Sequence, residues 1–124
     1  DVNRYLEGFQ IEEAFGAPVT LHQLLTHTAG FDDRFLHTGR ALGAALPPLG
    51  DYLAARMPRR VMPPGRVVSY SNHGLALVGH LVERASGLSF ADYVQQHVFD
   101  PLGMTHSRFF LRVPPDPNVA VPDF

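Results

Sequence analysis

Between residues 73 and 85 the apolar positions Leu75, Leu77, Val78, Leu81, Val82 and Ala85 recur with a period near 3.6, which predicts an amphipathic helix closed by Gly87. Ser71 or Asn72 can cap its start, since a short side-chain oxygen there accepts a backbone N–H of the first turn. Gly74 and Gly79 lie inside it, each at a cost of up to about 1 kcal/mol relative to Ala, which makes sense if another backbone packs closely on that face. Other helical patterns flank this one. Thr20 with Gln23 reads as a capping box ahead of Leu21, Leu24 and Leu25, predicting a helix of about two turns that ends at Gly30. Leu49, Tyr52, Leu53 and Arg56 predict a further helix with Pro58 as its stop. Ser89 with Asp92 caps another, which carries Phe90, Tyr93, Val94 and Val98 and is ended by Pro101 and Gly103. A short helix is readable at residues 39–46. Pro114, Pro115, Pro117 and Pro122 make residues 111–124 an extended tail.

The period changes just before the main helix. After a turn at Pro64-Gly65, the β-branched pair Val67-Val68 predicts a short extended segment running to Tyr70. Extended backbone sends alternate side chains to the same side, so Tyr70 and Asn72 face one way at a strand-to-helix junction. That is how a proton-transfer phenol and a substrate-orienting carboxamide would be presented to one pocket. A lone strand leaves its N–H and C=O groups unpaired, so residues 67–70 require a partner.

Together these elements predict a mainly α architecture, a single helical lobe over residues 1–124 that is a fragment of a larger domain. The length suits one domain, and 45% hydrophobic with 18% charged residues is ordinary for a globular chain. A net charge of −2 with Arg scattered along the chain provides no basic stripe for nucleic acid. No apolar run approaches the roughly 20 residues of a membrane span. The sequence has no Cys and no Lys. Disulfides and thiolate zinc sites are thus excluded within it, no metal or cofactor is expected, and a cationic or nucleophilic partner of Tyr70 is expected to lie outside these residues.

Several motifs occur in a recognisable order. Residues 19–31 contain Leu24-Leu25-Thr26-His27-Thr28-Ala29-Gly30, and Pro64-Gly65, Tyr70-Ser71-Asn72, Ser86-Gly87 and Pro101-Leu102-Gly103-Met104 follow. This series resembles the serine β-lactamase-related family, which includes class C β-lactamases, penicillin-binding D-alanyl peptidases and β-lactamase-like esterases. The resemblance implies that the chain is the helical subdomain of the β-lactamase/transpeptidase-like fold, with the β-sheet lobe missing. It implies that Tyr70 is catalytic, passing a proton to and from a nucleophilic Ser, and that Asn72 is substrate-binding, bonding the acyl side of the substrate and the catalytic Lys. Tyr70-Ser71-Asn72 would then play the part of the Ser-Asp-Asn element of class A enzymes. It also implies a small acyl substrate and a periplasmic or secreted parent protein.

Two family elements are absent from this sequence: the Ser-x-x-Lys helix start, and the Lys-Thr-Gly or His-x-Gly strand. Their absence has an energetic meaning. A phenol with an ordinary pKa of about 10 becomes a base near neutrality only if lowered by roughly three units, about 4 kcal/mol. A cation at about 4 Å supplies that much at an effective dielectric of about 20. Arg66, four positions before Tyr70 on an extended backbone, would be about 13 Å away. The chain alone is therefore expected to be inactive.

Structural readings compete at other positions. His22 and His27 are expected to be structural, with His27 bonding backbone in the turn after the first helix. His73 and His80 share a helix face, and His80 with Glu83 forms a His-x-x-Glu pair that lacks a third metal ligand at helical spacing. Asp32, Asp33 and Arg34 read as a solvated loop, Phe31, Phe35, Phe109 and Phe110 as core or interlobe contacts, and Ser71 as a cap or cleft hydroxyl. Two functional readings follow: the active-site-contributing helical lobe of an acyl-transferring serine hydrolase, or a non-catalytic helical interaction module that lost the chemistry. A face built to cover a β-sheet would stay apolar and exposed, so the isolated chain is expected to form homo-oligomers through it.

Overall fold

The computed structural model describes residues 1–32 and 47–109. Among these residues the chain forms a 3₁₀ turn at Val2–Arg4, then α1 (Leu21–Leu25), α2 (Leu49–Ala55), α3 (Asn72–Ser86) and α4 (Phe90–Val94), which runs on into a π-helical turn at Gln95–Phe99. They contain no β-strand; the extended pairings are isolated bridges between Ala14 and Ala17 and between Phe31 and Arg60. The mainly α, helical-subdomain architecture expected from the pattern is the one that forms. The predicted helix at residues 39–46, Asp33, Arg34, Phe35, Phe110 and the tail at residues 111–124 lie outside the described residues. No helix among the described residues is long and apolar enough to cross a membrane.

α3 is the axis against which α1, α2 and α4 pack. Its limits are set locally. Ser71 Oγ accepts the Gly74 N–H at 2.9 Å, and Gly87, at φ 73, donates its N–H to the Glu83 carbonyl at 2.9 Å. Leu24 of α1, Leu53 of α2 and Leu77 of α3 are the largest fully buried side chains. Each contributes roughly 1.5–3 kcal/mol by leaving water. Val2, Leu6, Ile11 and Val19 complete the core from residues that, past the 3₁₀ turn, lack a helix. Asn3 holds that segment in place. Its Nδ2 donates to the Ile11 carbonyl at 2.9 Å, its Oδ1 accepts the Ile11 N–H at 2.8 Å, and Val2 N–H reaches the Val19 carbonyl at 2.9 Å. One side chain thus does the work of a strand partner.

The structure departs from the sequence pattern at three points. α1 carries the expected capping box, with Thr20 and Gln23 bonded reciprocally, but it stops at Leu25 instead of reaching Gly30. His27 adopts φ 56, a left-handed conformation that a continuing helix cannot accommodate. The glycines of α3 do not face another backbone. A Cβ at Gly79 would lie 3.6 Å from the Phe90 ring, and one at Gly74 would lie 3.2 Å from the Ser71 hydroxyl. The fourth helix changes pitch after Val94, widening to a π turn in which Asp100 N–H reaches the Gln95 carbonyl at 2.9 Å.

The junction of α3 and α4 is polar. Glu83 Oε1 accepts the Phe90 N–H at 3.0 Å, one of the donors that a helix start leaves unpaired, and Oε2 lies 3.3 Å from His80 Nδ1. Phe9 stacks on the His80 ring with centroids 5.9 Å apart, and Arg84 pairs with Glu7, so residues 7–9 are tied to the same helix. Arg60 crosses from the Phe31 bridge to residues 15–17. Its Nη1 donates to the Ala17 carbonyl at 3.0 Å, its guanidinium lies over the Phe15 ring at 5.9 Å, and burial lowers its pKa.

Candidate active site

Two distant segments run antiparallel and bring the candidate residues together. Asp32 N–H donates to the Arg59 carbonyl at 2.8 Å, Val61 N–H to Gly30 at 2.8 Å, Gly65 N–H to Thr28 at 2.7 Å and Ser69 N–H to His27 at 2.8 Å. The Pro63-Pro64-Gly65 turn bulges between the second and third of these bonds. Residues 67–70 are thus not a strand, and the partner that their pattern requires is the His27 carbonyl. Val68 is left 73% exposed.

At the end of this pairing the chain enters α3, and Tyr70 and Asn72 stand side by side. Tyr70 Oη donates to Asn72 Oδ1 at 3.2 Å, and both residues are exposed, Tyr70 by 55%. The expected common orientation is therefore present, and it opens to solvent rather than into the core. Ser71 between them is buried and caps α3. Its hydroxyl is committed to the Gly74 N–H, which agrees with a cap reading rather than a nucleophilic one.

Underneath lies His27. Its Nδ1 accepts the Ser71 N–H at 3.2 Å, and its ring is tilted 39° against the Tyr70 ring with centroids 4.5 Å apart. The expected backbone bond of this histidine exists, but its partner is 44 residues away rather than in the turn after α1. Nothing in the spacing of the sequence signals the ring contact. The only local hint is a histidine among the small residues that follow a capped helix.

The other candidates are structural by their contacts. His73 meets the buried Phe31 ring edge-on at 6.2 Å, and His80 is taken up by Glu83 and Phe9. Among the described residues no group of three or more His, Asp or Glu could hold a metal ion. Phe31 is core, whereas Phe109 packs on Phe90 and Phe99 at 5.2 and 6.4 Å and stays 54% exposed. Asp32 is exposed. Leu21 and Leu25, one helical turn apart on α1, are exposed, as are Val61 and Val67.

Residues 1–122 match the β-lactamase family. The chain is 31% identical to penicillin-binding protein 4* of Bacillus subtilis (strain 168), over 90% of this chain and 24% of that protein. It is 35% identical to monacolin J acid methylbutanoyltransferase of Aspergillus terreus (strain NIH 2624 / FGSC A1156), over 90% of this chain and 29% of that protein. In three dimensions it is similar to the octameric penicillin-binding protein homologue from Pyrococcus abyssi, with a TM-score of 0.68 and 30% identity, covering 87% of this chain and 26% of that one. The chain therefore spans about a quarter of the length of the proteins it matches. With the family matched along almost its whole length and the helical architecture shared with a penicillin-binding protein homologue, this chain belongs to the β-lactamase family.

Proposed function

We propose that this chain is the helical, active-site-contributing part of a serine hydrolase that transfers acyl groups from β-lactams, D-alanyl peptides or small esters. The observation that carries the reading is the Tyr70–Asn72 pair, 3.2 Å apart on an open surface at the start of α3. Tyr70 takes the proton of the attacking serine hydroxyl and returns it to the departing amine or alkoxide. Asn72 orients the acyl side of the substrate through its amide. Similarity to a penicillin-binding protein and to an acyltransferase supports this class of chemistry. In this reading the nucleophilic serine and the lysine beside Tyr70 lie outside these 124 residues, which contain no lysine.

A fluorescent penicillin or a fluorophosphonate probe tests it. The isolated chain stays unlabelled, the full-length protein that carries it is labelled at one serine, and Tyr70→Phe slows that labelling by about 10²- to 10⁴-fold. Stoichiometric labelling of the isolated chain, or equal labelling rates for full-length wild type and Tyr70→Phe, would overturn the proposal. The exposed Leu21, Leu25, Val67 and Val68 further support self-association of the isolated chain. A monodisperse monomer by light scattering at high concentration contradicts that part.

A further inference from the structure

We propose that His27 is the positioning residue of the Tyr70-Ser71-Asn72 element, acting through Tyr70 from a distant part of the sequence. The inference rests on the acyl-transfer reading above. Three contacts carry it. The His27 carbonyl accepts the Ser69 N–H at 2.8 Å, its Nδ1 accepts the Ser71 N–H at 3.2 Å, and its ring supports the Tyr70 ring at 4.5 Å. The two amides that flank Tyr70 are thus both held by one residue, which also supplies a face for the phenol. Among the described residues Tyr70 is 55% exposed, and its ring is held by the imidazole face together with the bond from its Oη to Asn72 Oδ1.

His27 makes these contacts from a left-handed backbone, φ 56, which costs a non-glycine residue about 1–2 kcal/mol. The same turn closes α1, where the Thr28 N–H bonds the Gln23 carbonyl at 2.8 Å and the His27 N–H the Leu24 carbonyl at 3.3 Å. The arrangement also dictates the tautomer. An Nδ1 that accepts the Ser71 N–H carries no proton, so in the neutral ring the proton resides on Nε2.

The test uses the full-length protein that carries this chain. Asn and Gly both tolerate the left-handed region, so His27→Asn and His27→Gly remove the ring while leaving the turn accessible. Both variants are expected to acylate about 10- to 100-fold more slowly in kcat, as a slightly misplaced catalytic group would, with KM close to wild type and with cooperative unfolding retained. The double variant His27→Asn/Tyr70→Phe is expected to be within about twofold of Tyr70→Phe alone, because the histidine has nothing left to position. Losses that multiply, or His27 variants that acylate at the wild-type rate while Tyr70→Phe is slow, overturn this inference and leave the acyl-transfer reading standing. Unimpaired acylation by Tyr70→Phe takes down both. One measurement needs no substitution: ¹⁵N spectra of the wild-type imidazole show an unprotonated Nδ1 and a protonated Nε2, and a proton on Nδ1 overturns the inference.

Discussion

Gly30 and Gly8 have almost the same φ, 81 and 80, in different surroundings, so replacing each by Ala separates torsional strain from steric exclusion. A Cβ at Gly8 meets nothing within 4 Å, whereas one at Gly30 runs into the backbone carbonyl of Met62. Both variants carry the left-handed penalty of about 1–2 kcal/mol. Gly30→Ala must in addition displace the Met62 peptide. That movement strains the Val61 and Met62 N–H bonds to the Gly30 carbonyl, at 2.8 and 3.4 Å, and losing both costs a further 1–3 kcal/mol, at about 0.5–1.5 kcal/mol each. Urea unfolding followed by far-UV circular dichroism reads the difference. With a slope of about 2 kcal/mol per M, an excess of about 2 kcal/mol places the Gly30→Ala midpoint about 1 M below that of Gly8→Ala. Midpoints within about 0.3 M of each other would show that residues 60–62 yield freely, and the close pairing of residues 27–32 with 59–71 would lose its support.

Two further substitutions address α3. Gly79→Ala is expected to stabilise the protein by up to about 1 kcal/mol, because the new methyl meets the Phe90 ring at 3.6–3.8 Å, an ordinary contact, and the helix loses a flexible residue. A lowered thermal midpoint would mean that this face tolerates no added atom. Glu83→Ala is expected to cost about 1–3 kcal/mol by orphaning the Phe90 N–H and the His80 ring, and Glu83→Gln, which keeps a carbonyl acceptor, is expected to cost less. Equal losses in urea titrations would remove the carboxylate oxygen from the joint between α3 and α4.

Legibility in the sequence followed the range of the interactions involved. The caps at Thr20, Ser71 and Ser89 and the left-handed stop at Gly87 were all readable, because each is settled by groups three or four residues apart. The early end of α1 was not. It is set by His27 taking the left-handed position in place of a glycine, with the Thr28 N–H on the Gln23 carbonyl at 2.8 Å and the His27 N–H on the Leu24 carbonyl at 3.3 Å, and the distant contacts with residues 69–71 add to it. The neighbours of the α3 glycines are illegible for a similar reason. The pattern shows that something comes close, but whether it is a backbone, the Phe90 ring or the Ser71 hydroxyl depends on packing. The His80–Glu83 spacing lacks a third ligand for a metal, but nothing in it tells that the carboxylate serves to start α4.

The candidate site divides along the same line. That Tyr70 and Asn72 are presented together is determined within three residues of sequence, since extended backbone entering a capped helix leaves few other directions for their side chains. That the Tyr70 ring rests on His27 is decided only by the tertiary pairing that brings residues 27–32 against residues 59–71. Local hydrogen-bonding rules act over one helical turn and are written in adjacent residues. A contact that spans 44 positions depends on the closure of everything between, and no pattern near either residue records it.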